Sequence, residues 1–128
     1  MLVAAWLTQI AVAQIPAMIN YQGIARNSVG SSLINKNITL RLNIRNGAAA
    51  GPVVYSETRA VTTNSYGMFN IAIGAPGATN VSGTLSGVNW AAGDKFLQVE
   101  MDPQGGTAFT DMGASQLLSV PYAFSAGA

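Results

Sequence analysis

The run Ile38-Thr39-Leu40-Arg41-Leu42-Asn43-Ile44-Arg45 decides the fold of this chain. Ile38, Leu40, Leu42 and Ile44 recur at every second position, with Thr39, Arg41, Asn43 and Arg45 between them. An extended chain sends alternate side chains to opposite faces, so this pattern predicts an antiparallel strand with one face on a core and the other toward water. Two further runs repeat the rule. Phe69, Ile71 and Ile73 oppose Met68, Asn70 and Ala72, and Leu97, Val99 and Met101 oppose Phe96, Gln98 and Glu100. The stretch from Val53 to Thr63 is rich in β-branched residues but alternates weakly. It predicts a strand that bends or lies at an edge.

Turn chemistry separates these runs. Asn46-Gly47 opens a small-residue loop that ends at Gly51-Pro52, and Gly74 to Gly77 closes the strand before it. Asn64-Ser65-Tyr66-Gly67 predicts a hairpin joining its two flanking strands. Asp102-Pro103-Gln104-Gly105-Gly106 places Pro early and Gly late, as a tight turn requires. Ala78 to Ala92 reads as a long loop or a short turn of helix. Gly23, Gly30 and Gly67 read as backbone positions that need positive φ. Short strands joined by turns, with no helical period after residue 14, give an all-β fold: an antiparallel β-sandwich of about seven strands, immunoglobulin-like or prealbumin-like.

Composition restricts what such a domain does. The chain has no His and no Cys, and only five acidic residues in 128. General acid–base and nucleophilic catalysis lean on those residue types, as do zinc sites. No cluster of carboxylates has the close spacing of a calcium loop. Glu57, Glu100, Asp102 and Asp111 therefore read as structural groups, and no enzyme activity, metal or cofactor is expected. A net charge of +1 with scattered Lys and Arg argues against nucleic acid. Charged residues are 9% of the chain, against about 25% in a typical soluble domain. So little charge suits a surface covered by partners or by copies of itself, and equally suits a low-charge extracellular domain rich in Thr, Ser, Asn and Gly.

The N-terminus suggests export. Leu2 to Val12 is nearly all apolar, too short for a stable membrane span, and Ala11-Val12-Ala13 before Gln14 has the small-x-small form of a signal-peptidase site. Residues 1–13 read as a signal peptide, or as an apolar segment that is retained and docked. Residues 14–128 read as one sandwich domain.

Several motifs carry a family resemblance. Ile19-Asn20-Tyr21-Gln22-Gly23-Ile24-Ala25-Arg26-Asn27, then Val54-Tyr55-Ser56-Glu57-Thr58 with Gly67-Met68-Phe69, then Phe96-Leu97-Gln98-Val99-Glu100-Met101-Asp102, and finally Gln116-Leu117-Leu118-Ser119-Val120-Pro121-Tyr122-Ala123 occur in that order. Together they resemble the N-terminal β-sandwich module of secreted surface and fibre proteins of Bacteroidetes-type bacteria. The resemblance implies an extracellular module that sits before a stalk or fibre component, and it brings no catalytic residues.

Two sets of residues are candidates for function. Leu2, Val3, Trp6, Leu7, Ile10 and Val12 at one end, and Leu117, Leu118, Val120, Tyr122 and Phe124 at the other, form apolar segments able to supply a strand to a neighbour. The plainer readings are a cleaved signal for the first and an ordinary last strand, ended by Pro121, for the second. Tyr66 and Trp90 lie in turn-like segments and are the aromatics expected at the surface, where a glycan would bind. The sequence therefore predicts an exported, non-catalytic structural subunit of a cell-surface fibre or pilus-like filament. Its partners are copies of itself or a downstream stalk or fibre component. The rival expectation is an adhesin or carbohydrate-binding head on a surface stalk or phage-type tail fibre.

Overall fold

A computed structural model describes residues 18–117. They form seven strands in two antiparallel sheets, a β-sandwich. The strands are β1 (Ile19–Ile24), β2 (Asn37–Asn46), β3 (Val53–Thr62), β4 (Met68–Ile73), β5 (Thr79–Ser82), β6 (Lys95–Asp102) and β7 (Thr110–Leu117). The larger sheet has the order β5-β3-β2-β6-β7, and β1 and β4 pair alone in the smaller one.

The alternating runs place the core. Ile38, Leu40, Leu42 and Ile44 of β2 are essentially inaccessible, as is Ile73 of β4. Phe69 and Ile71 from the small sheet, and Leu97, Val99 and Met101 from β6, fill the space around them. Removing one such aliphatic side chain from water stabilises the fold by about 1.5–3 kcal/mol. Beyond β5 a short 3₁₀ turn, Leu85–Gly87, begins at Thr84, whose Oγ1 accepts from the Gly87 N–H. Leu85 and Val88 are buried, and Trp90 packs on the core. This segment plugs the sandwich on the β5 side.

Four expectations need correction. Of the two readings of Val53 to Thr63 the edge one fails, since β3 lies between β2 and β5, while a bulge at Val54 opposite Ile44 and Arg45 gives the bend. Its weak alternation has a specific cause. Register with β2 puts Tyr55, Glu57, Arg59 and Val61 opposite Ile44, Leu42, Leu40 and Ile38, so two of its core-facing residues are charged.

Residues 64–67 do not join a hairpin. β3 stays with β2 while β4 crosses to the other layer and pairs with β1, Ile19 opposite Ile73 through Ile24 opposite Met68. The turn itself forms as expected, with Asn64 Oδ1 accepting from the Tyr66 and Met68 N–H groups. Gly67, at φ +81°, then donates to Asn64 O and accepts from the Ala25 N–H, which delivers the chain to β1. The crossing follows from burial, because the apolar face of β2 needs a second layer and Phe69, Ile71 and Ile73 supply it.

Gly23 has no positive φ. It sits in β1 opposite Phe69, where an added Cβ would stand 3.1 Å from the ring. Glycine is needed there for close approach.

The polar face of β2 is not a water-facing one throughout, since Thr39 and Asn43 are buried. Neighbouring polar side chains cover Asn43, as described below.

Candidate assembly surface

The two sheets are unequal, and among the described residues the mismatch leaves one side of the sandwich open. β7 is the last strand of the large sheet, and Thr110 to Gln116 are exposed on both of its faces. Nothing among the described residues lies over it. β1 stops short: its inward residues Ile19, Tyr21 and Gly23 are half-buried, whereas their β4 partners Ile73, Ile71 and Phe69 are buried. Between β1 and β7 runs a cleft of about 190 Å³, lined by Tyr21, Leu97, Val99 and Met112 to Ser115. Leu97 and Val99 form its apolar floor, and Met112 is 50% exposed at its rim. Gly113, Ala114 and Ser115 keep the β7 wall low. Burial pushes the Tyr21 phenol above its ordinary value, and its ring packs against Phe69 at 5.8 Å.

Both edges beside the cleft are unpaired among the described residues, but they differ in kind. The register between β6 and β7 shifts between Gln98 and Glu100. Opposite that shift Gly113 takes φ +107°, and its N–H donates to Asp111 Oδ1 at 2.8 Å. A bulge and a charge of this sort blunt an edge against further pairing. β1 is a regular six-residue strand with neither device in it.

The outer face of the large sheet is a continuous polar network. Arg41 donates through Nε and Nη2 to both oxygens of Glu100 at 2.8 Å, a bidentate pair, and its guanidinium lies 4.4 Å over the Phe109 ring. Asn43 donates to Glu100 at 2.6 Å and to Gln98 at 3.1 Å, and accepts from the Ser56 hydroxyl. Arg45 donates to Gln98 and to Gly51 O. The Arg41 and Asn43 bonds hold the Glu100 carboxyl below the usual carboxylate range. Every polar group named here is partnered within the sheet, which fits a rigid wall better than a binding site.

Glu57 and Asp102 are committed to structure in the same way. Glu57 is fully buried, and it accepts from Tyr55 Oη at 2.5 Å, from Gly74 N–H at 2.8 Å and from Arg59 Nε. Arg59 also donates to Ala75 O at 2.5 Å and to Pro76 O. This clasp ties β3 to the turn that leaves β4. Burial, with the bond to Glu57, pushes the Tyr55 phenol far up. Asp102 closes its turn by accepting from the N–H groups of Gln104, Gly106 and Ala108, and those bonds, Gln104 first, lower its carboxyl.

The residues singled out from sequence fare unevenly. Leu117 is the final residue of β7, half-buried against the core. The last described strand thus takes in the first residue of the 117–124 segment. Leu118, Val120, Tyr122 and Phe124, and Leu2, Val3, Trp6, Leu7, Ile10 and Val12, lie outside the described residues. Tyr66 is 73% exposed in its turn. Trp90 is not the exposed aromatic expected: it is half-buried, and its Nε1–H donates to Leu85 O at 2.8 Å. The cleft between β1 and β7 escaped sequence reading. Its one sequence signal is the run of small residues Gly113-Ala114-Ser115 before Gln116.

Among the described residues no helix is long and apolar enough to cross a membrane. Comparison with known families finds one match: the chain belongs to the family described as a domain of unknown function, DUF8740, which covers residues 20–114. That span takes in β1 through β6 and the first half of β7. No curated protein and no solved structure matches the chain.

Proposed function

We propose that this chain is a non-catalytic structural subunit of an extracellular fibre or pilus-like filament, assembled by strand pairing and packing between copies. The observation that carries this reading is the open side of the sandwich, where among the described residues β7 has neither face covered and β1 presents a regular free edge over an apolar floor. An exposed edge of this kind is a template for another chain, and pairing of unlike surfaces on identical copies gives an open polymer unless rotation closes it. The scarcity of surface charge supports the same reading, because it leaves few groups to keep copies apart. Export to the cell surface is supported by the apolar Leu2 to Val12 segment and the Ala11-Val12-Ala13 sequence after it.

The absence of catalysis is supported by the lack of His and Cys and by the structural engagement of Glu57, Glu100, Asp102 and Asp111. Glycan binding draws less support, since the Trp90 ring is half-buried and its N–H is already used. Electron microscopy and light scattering of the purified full chain test the proposal. Filaments, or a mass that grows with concentration, are expected. A chain that stays monomeric up to millimolar concentration overturns it. Mass spectrometry of secreted material is expected to show a chain that starts at Gln14, and retention in the cytoplasm refutes the export component.

A further inference from the structure

We infer that the cleft beside β1 is an acceptor site, and that residues 118–124 of a second copy enter it as an added strand paired with β1. The inference rests on the filament reading and specifies its joint.

Three observations identify the acceptor. A two-stranded sheet faces a five-stranded one, so a strand added beside β1 falls over the exposed face of β7. Such a strand lies on the Leu97 and Val99 floor, covers Met112 and completes the burial of Tyr21. The competing edge, β7, is bulged at Gly113 and guarded by Asp111. Finally, the β7 wall is built of Gly113, Ala114 and Ser115, and open space lies where a Cβ on Gly113 would project. The hollow suits bulky side chains that the acceptor itself lacks.

The donor is identified by its pattern. In Leu118-Ser119-Val120-Pro121-Tyr122-Ala123-Phe124, four large apolar residues occupy alternate positions. Strand addition draws strength from main-chain bonds and specificity from alternate side chains in pockets. In an antiparallel pair the residues whose side chains share a face also send their N–H and C=O groups to the same edge. Leu118, Val120, Tyr122 and Phe124 thus face the cleft and bond to β1. Pro121, which has no N–H, falls on the opposite edge, where proline is tolerated and blocks a further strand.

The donor comes from another copy because of reach. The described part of β7 reaches Leu117 in the large sheet, while an added strand beside β1 lies in the other layer, about 10 Å away. An extended residue covers about 3.3–3.6 Å, so crossing within one chain consumes about three residues. That uses up Leu118 to Val120 and leaves only Tyr122 and Phe124 to fill the cleft. A second copy delivers all four.

Complementation between two full-length variants tests this. Ser115→Trp blocks the acceptor and leaves the donor intact. Tyr122→Asp with Phe124→Asp disables the donor and leaves the acceptor intact. Each variant alone is expected to be monomeric, and an equimolar mixture is expected to stop at the dimer, because only one joint remains possible. A synthetic peptide of residues 117–125, which needs no mutation, is expected to shorten wild-type filaments where a scrambled peptide does not. Elongation of either variant like wild type, or a peptide with no effect on length, overturns the joint while leaving the filament standing. A wild-type chain that never polymerises overturns the filament reading itself.

Discussion

Arg59→Met is the most demanding perturbation of this fold. Glu57 is inaccessible to solvent and has Arg59 as its ion-pair partner, with Tyr55 Oη and Gly74 N–H as further donors. Removing one partner of a buried pair leaves an uncompensated charge and costs about 3–5 kcal/mol. The substitution also takes the donors from Ala75 O and Pro76 O, at the turn after β4. A domain of this size is stable by only about 5–15 kcal/mol, so much of its margin goes. With a urea dependence of about 1–3 kcal/mol/M, the unfolding midpoint falls by at least about 1 M.

Replacing the whole cluster has a different consequence. In Tyr55→Phe/Glu57→Leu/Arg59→Met no charge is buried, and Gly74 N–H is left as the orphaned donor, worth about 1–3 kcal/mol. The triple variant is therefore expected to unfold at higher urea than Arg59→Met alone. Urea titration followed by tryptophan fluorescence and far-UV circular dichroism measures both. A loss below about 1 kcal/mol in the single variant, or a triple variant weaker than the single, refutes the view that Glu57 and Arg59 compensate each other in a dry core.

Other consequences are smaller. Glu100 and Asp102 both titrate below their ordinary values in the folded chain, Glu100 chiefly through Arg41 and Asp102 chiefly through the Gln104 N–H. Their stabilisation is fully present above the unfolded carboxylate value of about 4 and is lost as pH falls through the lower folded values. Acid unfolding curves should thus flatten in Glu100→Gln and Asp102→Asn, and an unchanged acid slope would refute this. Arg41→Ala removes a pair whose arginine is 41% exposed and should cost no more than about 1 kcal/mol by thermal melting, a larger loss assigning the excess to the Phe109 contact. Gly67→Ala forces a Cβ to 2.9 Å from Ser32 Cβ at a positive φ, whereas the same change at Gly113 meets only the backbone cost. The first should destabilise more than the second in urea, and the reverse order would place the strain elsewhere.

Legibility in the sequence tracked how one-sided each strand is. β2, β4 and β6 each carry an unbroken apolar row, and their positions and core faces could be read directly. β3 hid its interior position because Glu57 and Arg59 face the core, a place where charge is rare unless paired. β5 and β7 gave no periodic signal because nearly all of their residues are exposed, leaving no apolar face to alternate. In β1 the row Ile19, Tyr21 is broken by Gly23, whose role lies in the Phe69 ring opposite and is visible only once β4 is known to cross layers. The turn at residues 64–67 was legible as a turn, but its local chemistry is silent on whether the next strand returns to the same sheet. The candidate assembly surface was the least legible part, since a cleft lined by one half-buried residue of β1, two core residues of β6 and the exposed run of β7 leaves no hydrophobic pattern of its own.

The clasp of Tyr55, Glu57 and Arg59 on Gly74, Ala75 and Pro76 is a stitch between the two layers of the sandwich. Many small sandwiches entrust that stitch to a pair of cysteines and thereby depend on an oxidising environment to set it. Here it closes as soon as the chain folds, with no oxidase and no exchange of partners. Neither reductant nor oxidant can unpick it afterwards.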